Sequence, residues 1–234
     1  MTYHVAILAG GRSKRFGSNK ALFKIDGIAL ISKFLLEIPK LARKPNVVFI
    51  SLAGQEQLIE IIEALKVDLK IIEETKIEYK LLDENDDSTS IPMKIIFDDE
   101  RENIKEFRAA IFGLQAIFTA ISEGIVQIMP CDTPYFNANI MNILHAVGEK
   151  AGDTWDALIP RWKNGYIEPL HGIYKVDACI DPIEENIKKG DLRLRHFLQS
   201  GIRVKHFMIE KNLEKVDPTY KTFQNFNTRE FLPS

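Results

Sequence analysis

Apolar residues along this chain alternate between two rhythms. Short runs of buried-strand character give way to stretches with helical spacing, then return, which is the mark of βαβ units and a mainly parallel sheet. The run HVAIL at 4–8 is continuous enough to be a central strand, placed at 5–8. Residues 28–36 carry helical spacing, and Pro39 ends or kinks that helix. Residues 47–50, VVFI, read as a second strand, and 55–65 as an amphipathic helix. A third strand at 93–97 runs into Asp98-Asp99-Glu100, and a helix follows over 108–121. The fourth strand, 125–129, ends just before Asp132, and 136–150 returns as a helix. Segments at 157–159 and 170–176, a helix from near Asp177, a short helix at 192–198 and a strand at 204–209 complete the sheet.

The rhythm breaks once. Over 73–91 charged residues dominate, and DENDDS at 83–88 is a loop signal, so this stretch is expected as a charged surface insertion. The fold class is α/β: one domain over 1–234, a Rossmann-like three-layer sandwich around a mainly parallel sheet.

Composition narrows the partners. With 31 basic and 33 acidic residues the net charge is −2, so no global field draws the chain to nucleic acid or to an acidic membrane. The first strand begins near the N-terminus without a basic-then-apolar leader, and no apolar run approaches a membrane span, so a cytoplasmic enzyme is expected. Cys131 and Cys179 lie far apart, outside any paired metal spacing, and read as two reduced thiols. The five histidines contain no i, i+4 pair. Among them His171 stands out, either facing a substrate or sitting as a satisfied strand histidine.

The chemistry concentrates where the first strand ends. Residues 8–22 read LAGGRSKRFGSNKAL, with Gly10, Gly11 and Gly17 beside Arg12, Lys14, Arg15 and Lys20. Glycine lets backbone amides approach an anion closely, and Arg15 and Lys20 supply full charges, so the segment has the makings of a phosphate grip. It lacks the G-x-G-x-x-G register of a dinucleotide loop. Lys20 stands between Asn19 and Ala21, so a Walker A lysine, with Gly before it and Ser or Thr after, is absent too. The plain alternative is a βα turn with solvated cations. Asp132, directly after an apolar strand, can project into the crevice at the sheet's carboxyl edge as a hard oxygen ligand, or can cap the next helix.

Leu8-Ala9-Gly10-Gly11 with Arg15, Gly17, Lys20 and Leu22 resembles the LAGGxSxRxGxxKxL signature of nucleotidyltransferases, especially the molybdenum cofactor guanylyltransferases of the MobA type. Met129 to Pro134 resembles that family's strand-end CDxP element, Glu168-Pro169-Leu170 through Tyr174 its EPL…Y segment, and Asn225-Phe226-Asn227-Thr228 its C-terminal NxNT. Together these reach across nearly the whole chain. The resemblance implies a fold of the nucleotide-diphospho-sugar transferase type. It also implies transfer of GMP from GTP to the phosphate of molybdopterin carrying molybdenum or tungsten, with release of pyrophosphate.

Arg15, Lys20 and Asp132 are then the catalytic candidates, with Asp132 holding Mg2+. Leu8, Ala9, Gly10, Gly11, Arg15, Gly17, Lys20, Asp98 and Asp132 bind nucleotide, Asp99 being a neighbouring choice for Asp98. Asn225 and Asn227 bind the acceptor, as amides that both donate and accept. The implied partners are GTP and metal-loaded molybdopterin, with transient contact to molybdenum cofactor enzymes or chaperones.

Residues Asp191 to Arg195 resemble the family's G-x-[RS]-S-L helix start, where Arg193 and Arg195 either meet phosphate or are solvated. One segment departs from the pattern: where the family shows GPLAGL, this chain has Ala109-Ala110-Ile111-Phe112-Gly113-Leu114. That leaves CTP or another phosphate acceptor, such as cobinamide phosphate or phospholactate, as the rival chemistry, and a silent cofactor-binding protein as the rival class.

Overall fold

The structure is a computed structural model that describes residues 1–10, 19–69, 74–75, 78–83, 86–97 and 109–225, with backbone alone over 66–90. Its centre is a sheet of nine strands among the described residues: β1 (Tyr3–Leu8), β4 (Val47–Leu52), β5 (Glu74–Thr75), β6 (Glu78–Asp83), β7 (Asp86–Phe97), β8 (Ile125–Pro130), β9 (Ala157–Arg161), β10 (Ile173–Lys175) and β11 (Val204–Met208). They lie in the order β11-β9-β10-β8-β1-β4-β7-β6-β5. A separate two-stranded ribbon joins β2 (Lys24–Ile25) to β3 (Ile28–Ala29). The pairs β8-β1, β1-β4, β4-β7 and β9-β11 are parallel, and β10 runs antiparallel between β9 and β8.

Successive residues of a strand point to opposite faces, and β1 shows how two cores result. Val5 and Ile7 join one buried cluster with Ile31 and Phe34 of α1 (Leu30–Glu37), Ile61 of α2 (Gln55–Leu69) and Met141 and Leu144 of α4 (Ala138–Ala151). Ala6, between them, joins the other with Leu114 and Phe118 of α3 (Ala110–Ile121), Cys179 and Ile183 of α5 (Val176–Lys188) and Phe197 of α6 (Leu194–Phe197). Helices thus cover both faces of the sheet, as the three-layer expectation requires. A final short helix, α7 (Ile209–Leu213), follows β11.

Several boundaries moved for local reasons. The helix expected at 28–36 begins at Leu30 because Ile28 and Ala29 pair with Ile25 and Lys24. Pro39 does stop it, at the second position of a 3-10 turn over Ile38–Lys40. Residues 170–176 contribute only Ile173–Lys175 to the sheet, since Pro169–His171 forms a 3-10 turn instead. Where charge density predicts an irregular surface excursion at 73–91, the described backbone forms β5, β6 and the start of β7, an antiparallel extension of the sheet edge. Edge strands tolerate charge because one rim of the ladder faces water.

Gly172, between the 3-10 turn and β10, has no room for a side chain. A Cβ there would lie 2.7 Å from Ile159 Cδ1 and 3.1 Å from both the Pro169 carbonyl oxygen and Tyr174 Cε2. Gly172→Ala is therefore expected to destabilise the fold by about 1–3 kcal/mol, measured by denaturant unfolding, because the neighbours include fixed backbone and buried side chains. Unchanged stability would mean that the turn shifts freely.

Candidate active site

Two backbone hydrogen bonds fix where the chain leaves β1. The amide of Ala9 donates to the Ser51 carbonyl at 3.0 Å, and the amide of Cys131 donates to the Leu8 carbonyl at 3.1 Å. Leu8, Ala9 and Gly10 therefore sit at the carboxyl edge between β4 and β8, the crevice where open α/β sheets bind ligands. Gly11, Arg15 and Gly17 lie outside the described residues, as do Asp98, Asp99 and Asn227.

The described chain resumes at Asn19, whose side-chain oxygen accepts from the Ala21 amide at 3.1 Å and caps a 3-10 turn over Lys20–Leu22. Buried Ala21 pins this turn to the core, with Leu22 and Phe23 packed against the same cluster. Lys20 is thus presented by a held turn. Its ammonium nitrogen lies 3.7 Å from Asp132 Oδ2, with the lysine side chain 11% exposed and the aspartate 34%. Burial pulls the Lys20 pKa down, and the Asp132 charge opposes that by favouring the ammonium form.

Asp132 does not cap α4. That place is taken by Asn137, whose side-chain oxygen accepts from the amides of Asn139 and Ile140 at 3.0 and 3.3 Å. The capping alternative for Asp132 falls, and its carboxylate faces the crevice side of Lys20. Next to it, Cys131 is buried and its thiol is pushed well up by desolvation, so it offers no thiolate nucleophile.

On the other flank of Asp132 the Pro169–His171 turn packs against the end of β8. His171 is buried, 3.0 Å from Thr133 Oγ1 through Nε2, and wedged edge-on between Phe136 and Phe223 with ring centroids 4.9 Å from each. Burial depresses its pKa to about 3, so the ring is neutral. It supports the Asp132 loop through Thr133, and it lies on a turn instead of a strand. Arg193 is bound through Nε and Nη2 to the Asp191 carboxylate at 2.9 Å each, on an exposed helix start.

Glu168, marked in the sequence only as part of a motif, proves to be a neighbour of Asp132. Its Oε1 accepts from Trp162 Nε1 at 2.8 Å and its Oε2 is 4.0 Å from His171 Nδ1. Burial, with the Asp132 charge adding to it, raises its pKa. Trp162 itself follows β9, in a tight hairpin closed by the Trp162 amide on the Tyr166 carbonyl at 2.8 Å. The Asn164-Gly165 pair is the sequence signal for that turn, and it is what brings Trp162 back over Glu168. The chain after α7 returns to the same edge: Asp217 accepts from the amides of Lys221 and Thr222, and Phe223 packs on His171. Exposed Asn225 lies two residues beyond Phe223.

A sheet covered on both faces thus brings Leu8, Ala9 and Gly10, a lysine and a strand-end aspartate to one carboxyl edge. This chain carries a match to the MobA-like NTP transferase domain over residues 5–78. It is 29% identical over 97% of its length to a protein of Thermococcus gammatolerans named "Probable molybdenum cofactor guanylyltransferase", covering 95% of that protein. A Desulfosudis oleivorans protein named "Molybdenum cofactor guanylyltransferase" is 26% identical, with 97% of this chain and 90% of that one covered. Among solved structures, molybdopterin-guanine dinucleotide biosynthesis protein A from Archaeoglobus fulgidus superposes with a TM-score of 0.67 at 24% identity, covering 97% of this chain and 93% of its own. A 4-diphosphocytidyl-2C-methyl-D-erythritol synthase from Anaerococcus prevotii shares the fold alone, with a TM-score of 0.61 at 10% identity and 98% and 92% coverage. Among the described residues no helix is long and apolar enough to cross a membrane.

Proposed function

We propose that this chain is a molybdenum cofactor guanylyltransferase, transferring GMP from GTP to the terminal phosphate of metal-loaded molybdopterin. An acceptor phosphate oxygen attacks the α-phosphorus, the bond to the bridging oxygen breaks, and pyrophosphate leaves with that electron pair. The observation that carries this reading is the approach of Lys20 to Asp132 across the carboxyl edge, directly beside the loop that leaves β1.

Phosphoryl chemistry of this kind needs positioned charge more than covalent help. The amides of the 8–11 segment and the Arg15 guanidinium would cradle the triphosphate. Lys20, a compact and partly desolvated charge, would follow the negative charge as it builds on the leaving phosphates. Asp98 would bind in the base region, and Asn225 and Asn227 would orient the acceptor.

Asp132 suits Mg2+. Its carboxylate is free of helix capping, one third exposed and placed at a strand end. Magnesium characteristically takes one or two carboxylates plus substrate phosphates rather than a protein cage. When bound, the ion would neutralise phosphate charge. The protein's own part is to hold Asp132 by way of Thr133 and His171 and to set Lys20 opposite.

The assay that tests this reading incubates the protein with magnesium, each nucleoside triphosphate in turn and metal-loaded molybdopterin, then identifies the product by mass. GTP is expected to give the guanine dinucleotide with one pyrophosphate per turnover. Product from CTP alone would transfer the assignment to the cytidylyl chemistry that the altered 109–114 segment leaves open, and binding without pyrophosphate would make the chain a carrier.

A further inference from the structure

Read outward from β1, the carboxyl edge presents its groups in the order Lys20, Asp132, Glu168, Trp162, because β8, β10 and β9 follow β1 in the sheet. On the guanylyltransferase reading Asp132 would mark the reacting phosphates, which leaves the groups on the far side from Lys20 for the acceptor. There the chain has built something that packing alone does not require. Trp162 and Tyr220 meet edge to face, centroids 5.6 Å apart at 83°, and both remain partly exposed at the edge of the core. Tyr220 adopts a left-handed backbone, φ 52°, an uncommon conformation for a bulky residue. The Asp217 carboxylate holds that turn through the two amides that follow Tyr220, at 3.1 and 2.9 Å. Strain of this kind persists where surrounding contacts over-determine it, and it clusters at ligand clamps.

Below the rings lies Glu168, its side chain 25% exposed. The indole N–H orients Oε1, while Oε2 makes no hydrogen bond with described residues and stands 4.0 Å from His171 Nδ1. That imidazole nitrogen is itself buried and without a hydrogen-bond partner among the described residues. A desolvated carboxylate with an open oxygen, under an aromatic corner, is suited to a flat heterocycle that carries adjacent N–H donors.

We propose that Trp162, Tyr220 and Glu168 form the seat of the acceptor's pterin ring, with the rings packing on its face and Glu168 accepting from its 2-amino and neighbouring ring N–H groups. The proposal rests on the guanylyltransferase reading for the identity of the acceptor. Guanine displays the same donor pair, so one carboxylate could in principle read either heterocycle. The order of groups along the edge favours the pterin, since Glu168 lies across Asp132 from Lys20.

The test uses the whole protein and oxidised 6-hydroxymethylpterin, whose fluorescence reports binding, with GTP binding measured in parallel. Glu168→Gln keeps the shape and removes one acceptor. It is expected to weaken pterin binding by about tenfold to a hundredfold, the scale of hydrogen bonds to a charged group, while GTP affinity stays unchanged. Trp162→Phe, which keeps a ring but frees the carboxylate, is expected to weaken pterin binding severalfold with the same indifference to GTP, and it serves if the first variant does not fold. In steady state, Glu168→Gln should raise the KM for molybdopterin and leave the KM for GTP in place.

Unchanged pterin affinity in the folded variants, a parallel loss of GTP affinity, or no pterin binding by the wild type would each overturn the proposal. The two readings fail separately. A wild type that binds pterin yet makes no dinucleotide would remove the activity and keep the seat, whereas normal dinucleotide synthesis with pterin binding indifferent to Glu168 would do the reverse.

Discussion

Lys20→Ala is expected to lower turnover at saturating GTP by about two orders of magnitude or more, the effect of deleting one preorganised electrostatic donor. The residue is built for that task. Asn19 caps its turn, Ala21 buries beneath it, and the ammonium sits 3.7 Å from Asp132 with little exposure. Deleting a partly desolvated charge removes an interaction that water cannot restore in the same geometry. Because the anchors of the turn are Asn19, Ala21 and Leu22 rather than the lysine head, the variant should fold normally. Single-turnover measurements at saturating GTP report the effect, and turnover equal to the wild type would remove Lys20 from the chemistry.

Asp132→Asn is expected to abolish magnesium-dependent turnover while leaving the fold intact. Asparagine preserves the size of the side chain but surrenders the negative charge that a hard cation needs. The helix that follows does not depend on it, since Asn137 satisfies the first amides of α4. The substitution also withdraws the charge that favours the ammonium form of Lys20 against burial, so the Lys20 pKa should fall further. Circular dichroism and thermal unfolding check the fold, and pyrophosphate release across a magnesium titration checks the role. Full activity in a folded variant would refute it.

Legibility in the sequence followed the physics of each element. β1, β4 and β8 are buried on both faces, so their apolar runs declared them, and the loop after β1 was visible because glycines and cations crowd a strand end. Lys20 and Asp132 were each legible as motif residues, but their 3.7 Å approach was not, since Lys20 lies on a 3-10 turn and Asp132 on the loop after β8. The hairpin of β6 and β7 was missed because edge strands are decided by ladder pairing, which leaves no apolar signature in a charged segment. The cap of α4 was mislocated as an open choice at Asp132, although Asn137 stood just before the helical pattern. Glu168 and Trp162 were hidden by their separation from Asp132 along the chain. Only the β9 to β10 hairpin and the antiparallel course of β10 return them to it.

The most direct measurement is a crystal structure of the protein with GTP and magnesium. The triphosphate is predicted to lie along the loop that leaves β1, with its α-phosphate between the Lys20 ammonium and a cation held by Asp132. A triphosphate bound elsewhere, with Lys20 and Asp132 still facing each other across an edge that the nucleotide does not enter, would contradict the assignment.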